Sequence, residues 1–166
     1  MLGIVAGTVI PDAGEVTIAG HDLRSAPLKA RGALRYLPQE VELPRGMTGR
    51  EILRFYADVF NATSDLDAAA TRTGLGEALD HLASTYSVGM RRRLGFAATT
   101  IGDGSLYVLD EPFAGVDGEG RERMCGWLAQ RLTAGCGLLL AAHDRDAPEL
   151  ERLSARAVNL AGSSST

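Results

Sequence analysis

The run Leu106-Tyr107-Val108-Leu109-Asp110-Glu111-Pro112 carries four apolar residues straight into two adjacent carboxylates. A proline, which has no N–H to give to a ladder, closes it. An uninterrupted apolar strand suits a parallel sheet covered on both faces, whereas strict alternation suits a sheet with one wet face. Carboxylates at the carboxyl end of such a strand stand where open α/β sheets place their ligands. One carboxylate of the pair Asp110-Glu111 can hold Mg2+ through water, and the other can polarise an attacking water.

Downstream, Glu119 to Leu132 has the pattern of an amphipathic helix carrying Met124, Trp127 and Leu128. Leu138 to Ala142 then reads as a second buried strand, closed by His143-Asp144. Strand, helix and strand form a βαβ unit, whose crossover is parallel and right-handed. Both strands therefore end at one edge of the sheet, and Asp110, Glu111 and His143 are expected to converge there. A helix near Glu149 to Leu153 and a strand near Ala157 to Leu160 complete the fold, before a polar tail from Gly162.

Upstream, Ser87 has the character of a helix N-cap, with Leu94, Ala98 and Ile101 on the inner face of the helix it opens. Thr48-Gly49-Arg50-Glu51 is a capping box, followed at helical spacing by Ile52, Leu53, Tyr56, Val59 and Phe60. Further helices are expected over Ser64–Thr73 and Glu77–Leu82. Leu34 to Leu37 reads as a strand broken by Pro38, residues 26–32 as a short helix or turn, and Glu15 to Ala19 as a strand turned by Gly20. Residues 2–6 have the pattern of a helix end, stopped by Gly7 and the turn Pro11-Asp12-Ala13-Gly14.

A chain of 166 residues with 45% apolar residues suits one domain with a real core. The net charge of −4 gives no electrostatic case for binding nucleic acid. Cys125 and Cys136 match no metal spacing and fit a reducing, cytoplasmic setting. No apolar run reaches membrane-spanning length, and Met1-Leu2-Gly3-Ile4-Val5 has no basic flank of a signal peptide. Several residues carry bland expectations. His21 and His81 are structural, and Arg91-Arg92-Arg93 is a solvated helix face, with contact to a partner's acidic surface as the alternative. Phe55, Tyr56 and Phe60 belong to a helical core, and Gly74-Leu75-Gly76 is a turn.

Four elements stand in a telling order: Tyr36-Leu37-Pro38-Gln39, Tyr86-Ser87-Val88-Gly89-Met90, Leu109-Asp110-Glu111-Pro112 and Ala142-His143-Asp144. Ala114-Gly115-Val116-Asp117 lies between the last two. This constellation resembles the nucleotide-binding domain of ATP-binding cassette (ABC) transporters. The resemblance implies an α/β, P-loop NTPase-like fold: a parallel-sheet core from residues 1–40 and 103–162, an inserted helical signature subdomain at 41–102, and a disordered tail at 163–166. It implies ATP and Mg2+ as ligands. Gln39 would be the glutamine that contacts Mg2+ or its water, Asp110 the Walker B aspartate on Mg2+, and Glu111 the catalytic base or water-orienting residue. His143 would touch the γ-phosphate, and Asp117 would lie at the dimer interface. Ser87 and Gly89 would present a hydroxyl and a helix start to ATP held by the opposite subunit. The implied partners are a second cassette and a transmembrane permease, which would hold the chain at the inner face of the cell membrane.

The chain departs from the family pattern at Val88, where glycine is usual, and at Phe113, where Ser or Thr is common. The largest departure is the Walker A loop, G-x-x-x-x-G-K-S/T. The sole lysine, Lys29, sits in Pro27-Leu28-Lys29-Ala30 without a glycine cradle. Leu2-Gly3-Ile4-Val5-Ala6-Gly7 resembles the helix that follows that loop, so the expectation is a cassette truncated at its N-terminus. A finer likeness is to the ATPase subunit of exporters serving copper-site maturation of nitrous oxide reductase, and to ABC-2-type exporters more broadly. Three readings follow: the ATPase motor of an exporter; a subunit without catalysis that lends its signature motif to a complete partner; or a remnant with no stable fold, prone to aggregate through an open sheet edge.

Overall fold

In the computed structural model, residues 2–158 are described. Five strands and seven α-helices follow in chain order: α1 (Leu2–Val5), β1 (Thr17–Ile18), β2 (His21–Asp22), α2 (Pro27–Gly32), β3 (Leu34–Leu37), α3 (Gly49–Val59), α4 (Leu66–Thr73), α5 (Val88–Thr99), β4 (Leu106–Asp110), α6 (Gly118–Thr133), β5 (Gly137–Ala141) and α7 (Ala147–Arg152). Short 3-10 turns fill Gly76–Asp80 and Asp144–Asp146.

The apolar strand β4 is the centre of a parallel sheet ordered β3-β4-β5. Leu37 pairs with Leu109, and Asp110 pairs with Ala141, so the carboxyl ends lie side by side. Both faces of β4 are covered, as its composition requires. Tyr107 and Leu109 pack with Leu37, Phe96, Phe113, Met124 and Leu128 on one face. Val108 packs with Ala6, Ile18, Ala30 and Leu34 on the other. The second strand differs from expectation. β5 pairs only with β4 among the described residues, and Leu138, Leu139 and Leu140 are half-buried. Those leucines line a groove of about 750 Å³ that reaches from Leu150 and Leu153 to Asp110.

The first strand is shorter than its alternation suggests, and its partner went unread. Ala19 (φ 50°) and Gly20 (φ 79°) both take left-handed backbone, which turns β1 back into an antiparallel pairing with β2. Two residues with positive φ match the twist of a tight hairpin. At the other end, Ala157 and Val158 take no strand conformation, and the rest of the expected strand, with the tail, lies outside the described residues.

The helices between β3 and β4 bury a core of their own, built from Ile52, Leu53, Ala57, Ala69, Leu94, Ala97, Ala98 and Ile101. Helix α5 belongs to both cores, since Phe96 faces the sheet. Two expectations fail at the surface: Phe55 and Val59 are exposed, because the buried stripe of α3 runs through Ile52, Leu53 and Ala57. Arg72 joins the two cores. Its guanidinium donates to the Thr100 carbonyl and stands 4.8 Å from the Trp127 ring.

The capping box at α3 is formed in full: Glu51 N–H donates to Thr48 Oγ1 at 3.2 Å, and Thr48 N–H donates to Glu51 Oε2 at 2.8 Å. The Thr48 N–H, and then its hydroxyl, hold the Glu51 carboxyl below its ordinary value. A carboxyl with a depressed folded pKa stabilises the fold above its unfolded pKa and loses that contribution as pH falls through the folded value. Thr48→Ala removes the N-cap oxygen and should cost about 1 kcal/mol in urea unfolding at neutral pH. The deficit relative to wild type should shrink in acid, where protonated Glu51 weakens the box in both proteins.

Candidate functional site

The parallel register places the ends of β3, β4 and β5 together, and each strand hands one side chain to the shared edge. Gln39 follows β3 by two residues, Glu111 follows β4 directly, and His143 follows β5 by two. Glu111 is the meeting point. Gln39 Nε2 donates to its Oε1 at 3.0 Å, and His143 Nε2 lies 3.0 Å from its Oε2. The Glu111 side chain is 20% exposed and His143 52% exposed, so the pair opens to solvent. Asp110 is half-buried at the last position of β4 and reaches the mouth of the leucine groove.

Glu111 pays for its place. Its φ is 47°, a left-handed conformation that costs a side-chain-bearing residue about 1–2 kcal/mol. The geometry is enforced by two backbone bonds, from Glu111 N–H to the Ala141 carbonyl and from Ala114 N–H to the Glu111 carbonyl. Backbone strain of this kind clusters at functional sites, which makes Glu111 a leading candidate.

The other candidates form a second group. Ser87 caps α5, accepting from Met90 N–H at 3.2 Å, and both Ser87 and Val88 are exposed. Gly89 is needed for a close approach: a Cβ there would stand 2.3 Å from the Gly115 carbonyl oxygen. The start of α5 therefore rests on the loop that follows Glu111. Asp117 caps α6, accepting from Gly120 N–H at 2.8 Å, and lies 3.8 Å from the guanidinium of Arg93.

Arg92 is the residue that sequence reasoning missed. Far from lying on a solvated face, it is 7% exposed and forks onto the carbonyls of Pro38 and Gln39. Burial lowers its pKa, and the charges of Glu111 and Asp110 oppose that shift. Gly95, one turn on, lets α5 close on Val41. The signal in the sequence was weak, since three consecutive arginines span most of a helical turn and all three cannot face water. Arg93 is half-buried as well. Cys125 behaves as expected of an inert thiol: burial, reinforced by Glu149, pushes it up to about 11.

Mg2+ takes oxygen ligands and is commonly held by one or two carboxylates, with phosphates and water completing its shell. Asp110 and Gln39 offer that set. Gln39 Nε2 is committed to Glu111, which leaves Oε1 as the ligand atom. Among the described residues no three acidic, histidine or cysteine side chains gather to hold a metal unaided. The donor set thus fits an ion that arrives with a phosphate.

A model of the ABC transporter family matches residues 1–114. The chain belongs to that family. ABC transporter relatives include the probable multidrug ABC transporter ATP-binding protein YbhF of Escherichia coli, 34% identical over 84% of this chain and 25% of its own length. The daunorubicin/doxorubicin resistance ATP-binding protein DrrA of Streptomyces peucetius is 32% identical over 92% of this chain and 47% of its own length. ATP-binding cassette sub-family A member 7 of the rat is 31% identical over 92% of this chain and 7% of its own length. The chain thus spans less than half the length of each of these curated relatives. An ATP-binding subunit of an ABC transporter shares the fold at a TM-score of 0.81, with 24% identity over 92% of this chain and 65% of that one. A dimeric ATP-binding cassette in a post-hydrolysis state with ADP and Pi shares it at 0.76, with 18% identity over 88% of this chain and 69% of that one. The fold is that of an ABC ATPase: a parallel-sheet core with helices inserted between β3 and β4.

Two outcomes follow from the site's framework. Arg92→Met strips two carbonyls of a charged donor and should cost about 2 kcal/mol in chemical unfolding, with Arg92→Lys recovering only part because an ammonium cannot fork. Glu111→Gly relieves the left-handed strain and should raise the unfolding free energy by about 1 kcal/mol, while removing the partner of Gln39 and His143.

Proposed function

We propose that this ABC family chain is an ATP-binding and ATP-hydrolysing cassette that powers an exporter through a separate membrane subunit. The observation that carries this reading is the Glu111 carboxylate held between Gln39 and His143 at the end of β4, beside Asp110. In this reading Glu111 orients water and accepts its proton. His143 steadies the γ-phosphate, and Asp110 with Gln39 holds Mg2+, which supplies charge neutralisation to the phosphates. Ser87, Gly89 and Asp117 face a second cassette, where the start of α5 offers its N–H groups to the partner's nucleotide. The names of YbhF and DrrA as multidrug and drug-resistance proteins support export as the direction. Among the described residues no helix is long and apolar enough to cross a membrane, which agrees with a separate permease.

A second reading concerns where the phosphate cradle comes from. The 166 residues contain no Walker A motif, and Lys29 cannot replace its lysine. Lys29 is exposed on α2, ahead of β3, with no glycine-rich loop around it. In the second reading the chain lends Ser87 and Gly89 to ATP held by the phosphate cradle of a complete partner cassette, and Glu111 is idle.

MgATP binding and hydrolysis by the chain alone, and mixed with a cassette that carries a P-loop, separate the two. Turnover that falls a hundredfold or more in Glu111→Gln, with nucleotide still bound, supports the first reading. Turnover only in the mixture, abolished by Ser87→Arg and untouched by Glu111→Gln, supports the second. Binding in neither setting, nor by a version extended to include a P-loop, removes both.

A further inference from the structure

Arg121, on the first turns of α6, reaches back beneath the candidate site. Its Nη2 donates to the Phe113 carbonyl at 3.1 Å and its Nε to the Val116 carbonyl at 3.3 Å. Both carbonyls belong to the loop that begins at Glu111. The same Nη2 lies 2.9 Å from Asp146 Oδ1, while Nη1 donates to Glu149 Oε1 at 2.9 Å. The contact with Asp146 is an ion pair without hydrogen-bond alignment, and Oδ1 accepts no hydrogen bond. Asp146 is 1% exposed, and its second oxygen accepts from His143 N–H at 3.0 Å.

The two sides of the Glu111–His143 contact thus hang from one guanidinium. The Glu111 loop is tied through two carbonyls, and the His143 turn is tied through a buried carboxylate. The His143 side chain is more than half exposed and Glu111 stands on left-handed backbone, so their mutual position depends on what ties the two loops together beneath them. A planar, permanently charged fork can hold carbonyls and carboxylates in one plane, and a lysine cannot. A buried aspartate stripped of its cation is left with an uncompensated charge, so the turn it anchors would have to move.

We propose that Arg121 is a positioning residue for the candidate site, setting His143 against Glu111 by tying the turn after β5 to the loop after β4. The proposal rests on the reading of Glu111 and His143 as partners in one site.

The imidazole Cε1–H signals of the chain report it directly, in 1H–13C correlation spectra at neutral pH. The three histidines His21, His81 and His143 are assigned by single His→Gln variants. Glu111→Ala defines the signal of a His143 released from its carboxylate. Arg121→Gln should carry the His143 signal most of the way to that position with His21 and His81 unmoved, and Arg121→Lys should fall between wild type and Arg121→Gln. An Arg121→Gln variant that melts earlier yet leaves the His143 signal in place overturns the proposal, because Arg121 would then support the fold alone. If Arg121→Gln does not fold, Asp146→Ala takes its place with the same two outcomes. A His143 signal that fails to move even in Glu111→Ala removes the Glu111–His143 contact, and with it both the site reading and the proposal. An unmoved signal in Arg121→Gln alone leaves the site reading standing.

Discussion

Strand β4 is held on both edges by parallel ladders, to β3 through Leu34–Leu37 and to β5 through Gly137–Ala141. Parallel pairing has a geometric consequence that antiparallel pairing lacks: every strand exits at the same edge. Residues separated by more than a hundred positions, such as Gln39 and His143, are therefore delivered within reach of one carboxylate. The ladder is secured by burial on both faces of β4, where Tyr107, Val108 and Leu109 are all but sealed from water. At roughly 1.5–3 kcal/mol for each large apolar side chain buried, this strand is where the fold gathers much of its stability, next to the site that spends some of it.

That expenditure is visible at Glu111, with its left-handed backbone, and in the exposure of Gln39 and His143. Side chains that face water have no packing to fix them, so their positions derive from what lies underneath. Guanidinium groups supply most of that support. Arg92 forks onto the carbonyls of the loop after β3, Arg121 onto those of the loop after β4, and Arg72 fastens the helical core to α6. Loop carbonyls near a functional edge cannot pair in a ladder, and leaving them buried without donors is costly. Arginine meets that need with several fixed donors and a charge that survives burial. A chain with one lysine among 17 basic residues is consistent with this use.

The start of α5 couples these parts. Gly89 lies against Gly115, Gly95 lies against Val41, and Arg92 holds Pro38 and Gln39. One helix thereby touches the loops after β3 and after β4 while its other face is embedded in the helical core. Gly89 lets backbone meet backbone at Gly115, while Gly95 makes room for the Val41 side chain.

Local chemistry made much of this legible in the sequence. The limits of β3 and β4, the capping box at Thr48, the N-cap at Ser87 and the convergence of Asp110, Glu111 and His143 follow from apolar runs, cap residues and the topology of a βαβ unit. These are short-range preferences, or consequences of chain connectivity, and need no knowledge of what packs where. The β1–β2 hairpin was hidden because Ala19 takes a conformation that its residue type disfavours. The leucines of β5 read as buried, although the described neighbours cover only one of its edges. Above all, the tertiary structure decided which arginines are framework. A guanidinium is buried only where carbonyls and carboxylates from distant segments converge on it, and no local pattern encodes that convergence.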